Sequence, residues 1–168
     1  MSTPSTIPKL RELQDLAKDT IAAASYFKTL AAGAATKRND NTIRTNGLVV
    51  ADRGQSDKTI EKNLRESGFI VAVQPLLGAT KRDQSGPAWI VNAMIMIKVM
   101  ANPERNDASD GAEADIYDAV VAVINALCQK DNHPGGEHFR LENDAVSLSR
   151  FDQGLWVYDL LFSKEVLI

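Results

Sequence analysis

The chain has 168 residues, 44% of them apolar and 24% charged, with a net charge of −3 and a pI near 5.4. That length suits one domain with a real core, and the composition is that of a soluble globular protein. The charge balance excludes a global field that would recruit nucleic acid or an anionic membrane, and no run reaches the ~18 apolar residues of a membrane-spanning helix.

Met1 to Thr6 reads as a loose polar leader. From Pro8 onward Leu10, Leu13, Ala17, Ile21 and Ala24 recur at three- and four-residue spacing, which predicts a helix with one apolar face. Tyr26, Phe27 and Leu30 extend that face, and Gly33 is the expected stop. Thr36 to Asn46 is polar and reads as a loop ending in Asn46-Gly47. Leu48 to Ala51 suits a short buried strand. A turn over Asp52 to Gln55 leads to a short helix capped by Ser56 or Asp57, with Ile60 and Leu64 facing inward. Gly68 stands where a left-handed helix end is wanted. Phe69 to Leu77 is the next strand, so this region reads as a strand–helix–strand unit.

Gly78 to Pro87 (GATKRDQSGP) is polar, and basic at Lys81-Arg82. It is too long for a tight turn and reads as a protruding hairpin tip. The strand Trp89 to Met100 then spans roughly 40 Å at ~3.3 Å per residue. Trp89, Val91, Ala93, Ile95, Ile97 and Val99 share one face; Ile90, Met94, Met96 and Met100 share the other, interrupted by Asn92 and Lys98. A strand apolar on both faces is covered on both. Helices are one expected cover and a neighbouring subunit the other. Ala101 to Gly111 is an acidic, turn-rich stretch. A helix follows over Ala114 to Gln129, with Ile116, Val120, Val123 and Leu127 inward. After a loop around His133-Pro134-Gly135-Gly136, two strands close the chain, His138 to Leu148 and Gly154 to Ser163. The fold class is α+β, a single domain over 1–168. Its sheet is mixed but mostly antiparallel with a long β-hairpin, packed by an N-terminal helix and a second long helix at about 114–129.

Residues able to carry chemistry are sparse. His133 and His138, with Glu137, are the one metal-like grouping, but the spacing matches no helix-borne ligand pair and further ligands are missing. Ser147 and Ser149 lie near His138 without a nucleophile elbow. Asp52-Arg53-Gly54-Gln55-Ser56-Asp57 enters a helix, but one glycine and two aspartates make a poor phosphate cradle. Asp107, Asp110, Glu113, Asp115 and Asp118 lack the regular spacing of a calcium loop, and the helix dipole suffices to explain Glu113 and Asp115. Cys128, the lone cysteine, sits among Val123, Ile124 and Leu127 as a buried structural thiol. No catalytic residue, cofactor or metal site is expected.

Charge is distributed unevenly. Lys9, Arg11, Lys18, Lys28, Lys37, Arg38 and Arg44 outnumber acids in the first helical region, while Glu104 to Asp118 holds Arg105 as its one basic residue. Opposed patches suit head-to-tail contacts, although two unrelated solvated faces would look the same. The candidate subunit or partner contacts are Lys81, Arg82, Asp83, Trp89, Met94, Met96, Arg105, Asp107 and Asp110.

Three segments carry a resemblance: the strand ending MIMIKVMANPERND, the helix EADIYDAVVAVINALCQ and the hairpin FRLENDAVSLSRFDQGLWVYDLLFSKEV. Their order and apolar pattern resemble tail terminator or tail-completion (neck) proteins of long-tailed bacteriophages, over roughly Trp89 to Val166. The strand–helix–strand unit before them is more elaborate than in the simplest members. The resemblance implies a virion protein, assembled in the host cytoplasm, that forms a ring, usually a hexamer. Such a ring caps the tail tube and joins it to the neck or head connector. Its partners would be itself, the tail tube protein and the connector, with no membrane and no sequence-specific nucleic acid, although DNA would pass through the lumen. The alternatives are a head-completion or neck adaptor, a small-ligand or metal-binding α+β protein, and an adaptor that dimerises by strand addition.

Overall fold

The computed structural model describes residues 6–54, 57–74, 78–85, 88–129, 138–152 and 154–167. The sheet is built by the alternating apolar runs. It contains β1 (Val49–Ala51), β2 (Phe69–Val73), β3 (Gly78–Ser85), β4 (Ala88–Ala101), β5 (Arg140–Asp152) and β6 (Leu155–Leu167). Their order is β1-β2-β4-β6-β5, and β3 pairs with β4 in line with β2. β1 and β2 are parallel and every other pair is antiparallel, as an α+β reading requires. The crossover between the parallel strands is α4 (Asp57–Glu66), the helix of the expected strand–helix–strand unit.

The register fixes the two faces. Ile97 lies opposite Val73 and Leu160, and Val99 opposite Val71 and Tyr158. Phe69, Val71, Val73, Ala93, Ile95, Ile97, Val99, Leu160 and Phe162 therefore share the first face, and all are buried in one core. α1 (Thr6–Ala23), α2 (Ser25–Arg38) and α6 (Ile116–Cys128) cover it. Each large apolar side chain fully buried there is worth about 1.5–3 kcal/mol, so this layer holds the domain together. On the second face Ile70, Ala72, Met100 and Val157 form a smaller cluster under Ile60 and Leu64 of α4.

The N-terminal region departs from the expected single helix. α1 ends at Ala23, Ala24 turns extended at φ −62°, ψ 139°, and α2 begins at Ser25. Gly33 lies inside α2 rather than ending it. Alanine is the best helix former, so nothing local dictates this break. Its effect is tertiary: Leu13, Ala17 and Ile21 bury from α1, while Phe27, Ala31, Ala34 and Ala35 bury from α2. The loop expected over Thr36 to Asn46 is largely helical. Asn39 takes the left-handed position ending α2, and Asp40 caps α3 (Asn41–Asn46) by accepting from the Thr42 backbone N–H at 2.9 Å. The signal was present: asparagine suits a helix end and aspartate a helix start.

The expected protruding tip at Gly78 to Pro87 is also corrected. Gly78 to Ser85 is a strand paired to β4 from Gly78↔Met94 to Ser85↔Ala88, because its partner offers a continuous ladder of backbone groups. Lys81 lies opposite Val91, part way along the arm, and the register skips at Arg82. β6 flanks the other edge of β4 along the same stretch, so the arm is three-stranded.

The elements after β4 follow the expected order. α5 (Pro103–Asn106) is a single turn capped by Asn102 with Pro103 at its start. Asp115 caps α6, accepting from Tyr117 N at 2.9 Å and Asp118 N at 3.1 Å.

Candidate interaction surface

Four features could carry an interaction, and each is positioned by a nameable local cause. The first is the remainder of the second sheet face. Past Met100 the residues of β4 on this side are Lys98, Met96, Met94 and Asn92, opposite Asp159, Leu161, Ser163 and Glu165 of β6. Met94, Met96 and Leu161 are half-buried. α4 packs on β2 and leaves this strip without a helix among the described residues. Lys98 and Asp159 sit opposite one another and form an ion pair at 2.8 Å. Its two charges compensate each other, so a partner covering the strip would strand no lone charge.

The second feature is a charge network where α2, α4 and the segment after β4 meet. Arg38 contacts Asp110 at 3.2 Å and Glu66 at 3.3 Å, and donates to the Glu66 carbonyl at 2.7 Å. Arg105 reaches Asp110 at 3.2 Å and the Arg65 carbonyl at 3.0 Å. Lys37 pairs with Glu113 at 2.6 Å. The basic N-terminal region and the acidic 104–118 segment, expected as opposed patches for a neighbour, thus meet partly within one subunit. Arg105 and Asp110 are engaged there, whereas the exposed Asp107 has no ion pair or side-chain hydrogen bond among the described residues.

Beneath that network the backbone is tightly interlocked. Asn102 N donates to Gly68 O at 2.8 Å and Ala112 N to Ser67 O at 2.8 Å. The buried Asn106 side chain donates to Ala114 O at 2.8 Å and accepts from Ala114 N at 2.9 Å. This clamp sets the position of the start of α6.

A third feature follows from it, a groove of about 280 Å³ at the end of β4. Its lining joins apolar Ala101, Pro103, Ala114 and Ile116 to Asn106, Asp107, Tyr117 and Trp156. Tyr117 is 61% exposed although it packs edge-on against Tyr158 at 6.0 Å. A larger open concavity of about 550 Å³ lies between α2 and Ala112-Glu113, lined by Tyr26, Leu30, Gly33 and Lys37. Sequence reasoning named neither Tyr117 nor Trp156 as a contact; an aromatic at the outward helix position was the available signal.

The fourth feature is the arm. The backbone places Lys81, Arg82 and Asp83 on β3 and Trp89 near the start of β4. Charged residues and a bulge on an edge strand hinder pairing with another chain's backbone, which weighs against dimerisation by strand addition at β3.

α1 is fixed by a residue that sequence reasoning passed over. The buried Gln14 amide donates to the Asp52 and Val73 carbonyls, both at 2.8 Å, stapling the helix to the ends of the parallel strands. Arg53 in turn pairs with Asp15.

Of the residues weighed for chemistry, His133 and Glu137 lie outside the described residues, and His138 is half-buried just before β5. Among the described residues no three His, Cys, Asp or Glu side chains gather as a metal site, and no helix is long and apolar enough to cross a membrane. Cys128, expected to be buried, is half-buried at the end of α6, and burial pushes its thiol pKa up. That suppresses the thiolate that would make it reactive. A scan of protein-family models and a comparison with curated proteins both give no match to this chain.

Proposed function

We propose that this is a structural assembly protein that works as a ring of identical subunits, as a tail terminator or tail-completion protein does at the end of a phage tail tube. The ring would stop tube growth and present a surface to the neck or head connector, with DNA passing through its lumen. The observation that carries the reading is the strip of Met94, Met96 and Leu161, half-buried on a sheet face whose opposite side packs into the main core. The element order of strand, helix and hairpin from β4 to β6 supports it through the resemblance drawn above.

Magnitudes limit what this strip does alone. Full burial of a large apolar side chain contributes about 1.5–3 kcal/mol, and these three are partly buried already. Association costs about 4–15 kcal/mol in lost freedom. Ring closure therefore needs a second, different patch on each subunit, which is the geometry of a heterologous contact.

The test is the mass of the purified protein by light scattering behind a sizing column, across protein concentration and salt, for the native chain and Met96→Glu. A closed species of about six subunits that Met96→Glu reduces to folded monomers supports the reading. A monomer at every concentration, or a stable dimer, counts against it.

A further inference from the structure

We infer that the second patch is the outward ridge of α6, and that it seats on the methionine strip of another copy of this chain. The inference rests on the self-assembly reading and names the contact that would close the ring. α6 holds one charged residue, Asp118, among its 13. A helix apolar on all sides belongs in an interior. α1, α2 and the sheet take the inner sides of α6. Its outer side presents Tyr117 at 61% and Val121 at 53% exposure, one helical turn apart. The Tyr158 ring lies edge-on to Tyr117 at 6.0 Å and extends the ridge onto β6. Among the described side chains no other helix offers such a ridge. Leu16 on α1 is the one further exposed large apolar residue there, and it stands between exposed Glu12 and Asp19.

What the strip lacks is a helix. α4 covers one part of the second sheet face, over β2. A sheet buries its apolar surface under a further layer, and neighbouring helices in such a layer pack at about 8–10 Å. β6 lies two strands from β2, roughly 9–10 Å at ~4.8 Å per strand. A helix set beside α4 therefore lies over β4 and β6, where Met96 is in register with Leu161. Methionine is unbranched and adapts to an incoming ridge, and its thioether makes favourable contacts at an aromatic edge such as that of Tyr117. Neither surface forces a lone charge into the contact. Lys98 and Asp159 compensate each other on the strip, and α6 carries no charge beyond Asp118. α6 packs on the first sheet face and the strip lies on the second, so one subunit cannot join its own two patches. A two-fold contact would bury one patch and leave the other open. Head-to-tail addition buries both on every subunit, and a constant rotation per step closes the series into a ring.

Thiol cross-linking tests the contact, in a Cys128→Ser background that removes the native thiol. Val121→Cys and Met96→Cys are prepared separately, and circular dichroism establishes that both fold. Each is concentrated to where the native chain forms rings, alone or after mixing in equal amounts as dilute monomers, and treated with a short bis-maleimide. The mixture should give covalent dimers whose joined peptides contain both substituted positions, while neither variant alone links to itself. Alongside, folded Val121→Glu should raise the midpoint concentration for assembly at least about tenfold, because its carboxylate would be buried without a partner. Self-linking by either variant, a mixture that stays unlinked, or Val121→Glu assembling at the native midpoint overturns the ridge-on-strip contact, while a native ring of about six subunits leaves the assembly reading standing. A native chain that stays monomeric at every concentration overturns both.

Discussion

Three glycines allow the clamp between α4 and the segment after β4 to be dissected. Gly54 has φ +72° and open space where a Cβ would stand. At Gly111 the backbone conformation is open to any residue, but a Cβ would lie 2.1 Å from the Arg105 carbonyl oxygen and 2.5 Å from that of Asn106. Gly68 combines both constraints, with φ +73° and a Cβ position 2.1 Å from Asn106 N and 2.5 Å from Arg105 C. A left-handed residue with a Cβ costs about 1–2 kcal/mol. Forcing an atom into backbone that cannot swing aside costs about 1–3 kcal/mol more. Gly54→Ala should therefore lose about 1–2 kcal/mol, Gly111→Ala about 1–3, and Gly68→Ala about 2–5, a large share of the roughly 5–15 kcal/mol that stabilises a typical domain. Urea unfolding at a concentration where the native chain is monomeric measures the series. With a slope of about 2 kcal/mol per molar, the Gly68→Ala midpoint should fall by roughly 1–2.5 M and lie below both other variants. A Gly68→Ala midpoint equal to that of Gly54→Ala would refute the close approach of residues 105 and 106 to this turn.

Two further outcomes follow from the helical region. Gly33 lies inside α2 with nothing within 4 Å of the place a methyl group would take, so Gly33→Ala should gain about 0.5–1 kcal/mol in the same urea assay; a loss would show that α2 stops there after all. Asp40 has its pKa held below the ordinary carboxylate value, first by the Thr42 hydroxyl at 2.6 Å and then by the Thr42 backbone N–H. A depressed folded-state pKa adds stability that is complete above the unfolded value of about 3.9 and disappears as pH falls through the folded value. The stability gap between the native chain and Asp40→Asn should accordingly be constant near neutral pH and narrow under acid; a gap that widens on acidification would reverse the assignment.

Much of the core was legible in the residues themselves. Period-two alternation in β4 and β6 and the three- to four-residue spacing in α6 state which side of each element is apolar, because side-chain direction follows backbone geometry. Gly68 likewise announced the end of α4 by its place after Glu66-Ser67. Local pattern misled where residues are locally ambiguous. Alanine-rich α2 has little contrast between faces, so Gly33 read as its end although the helix runs on to Arg38 and buries Ala34 and Ala35. Gly78 to Ser85 looked like a tip because nothing in a polar run shows that β4 supplies it a ladder.

Other features depend on residues far apart in the chain. A single straight helix from Thr6 to Arg38 would run roughly 50 Å at ~1.5 Å per residue. Only the packed core shows why it breaks at Ala24, where α1 seats on the parallel strands and α2 on α3 and α6. Gln14 reads as a solvated helix residue until the Asp52 and Val73 carbonyls are brought to it. Arg38 and Asp110 are 72 positions apart, and composition alone set their regions against a neighbour rather than against each other. The sequence by itself determined which faces are apolar and where most elements lie. Tertiary structure decided which strands are neighbours, which charges are already paired, and which apolar strip and groove remain open, because those depend on chain closure over distances that no local period records.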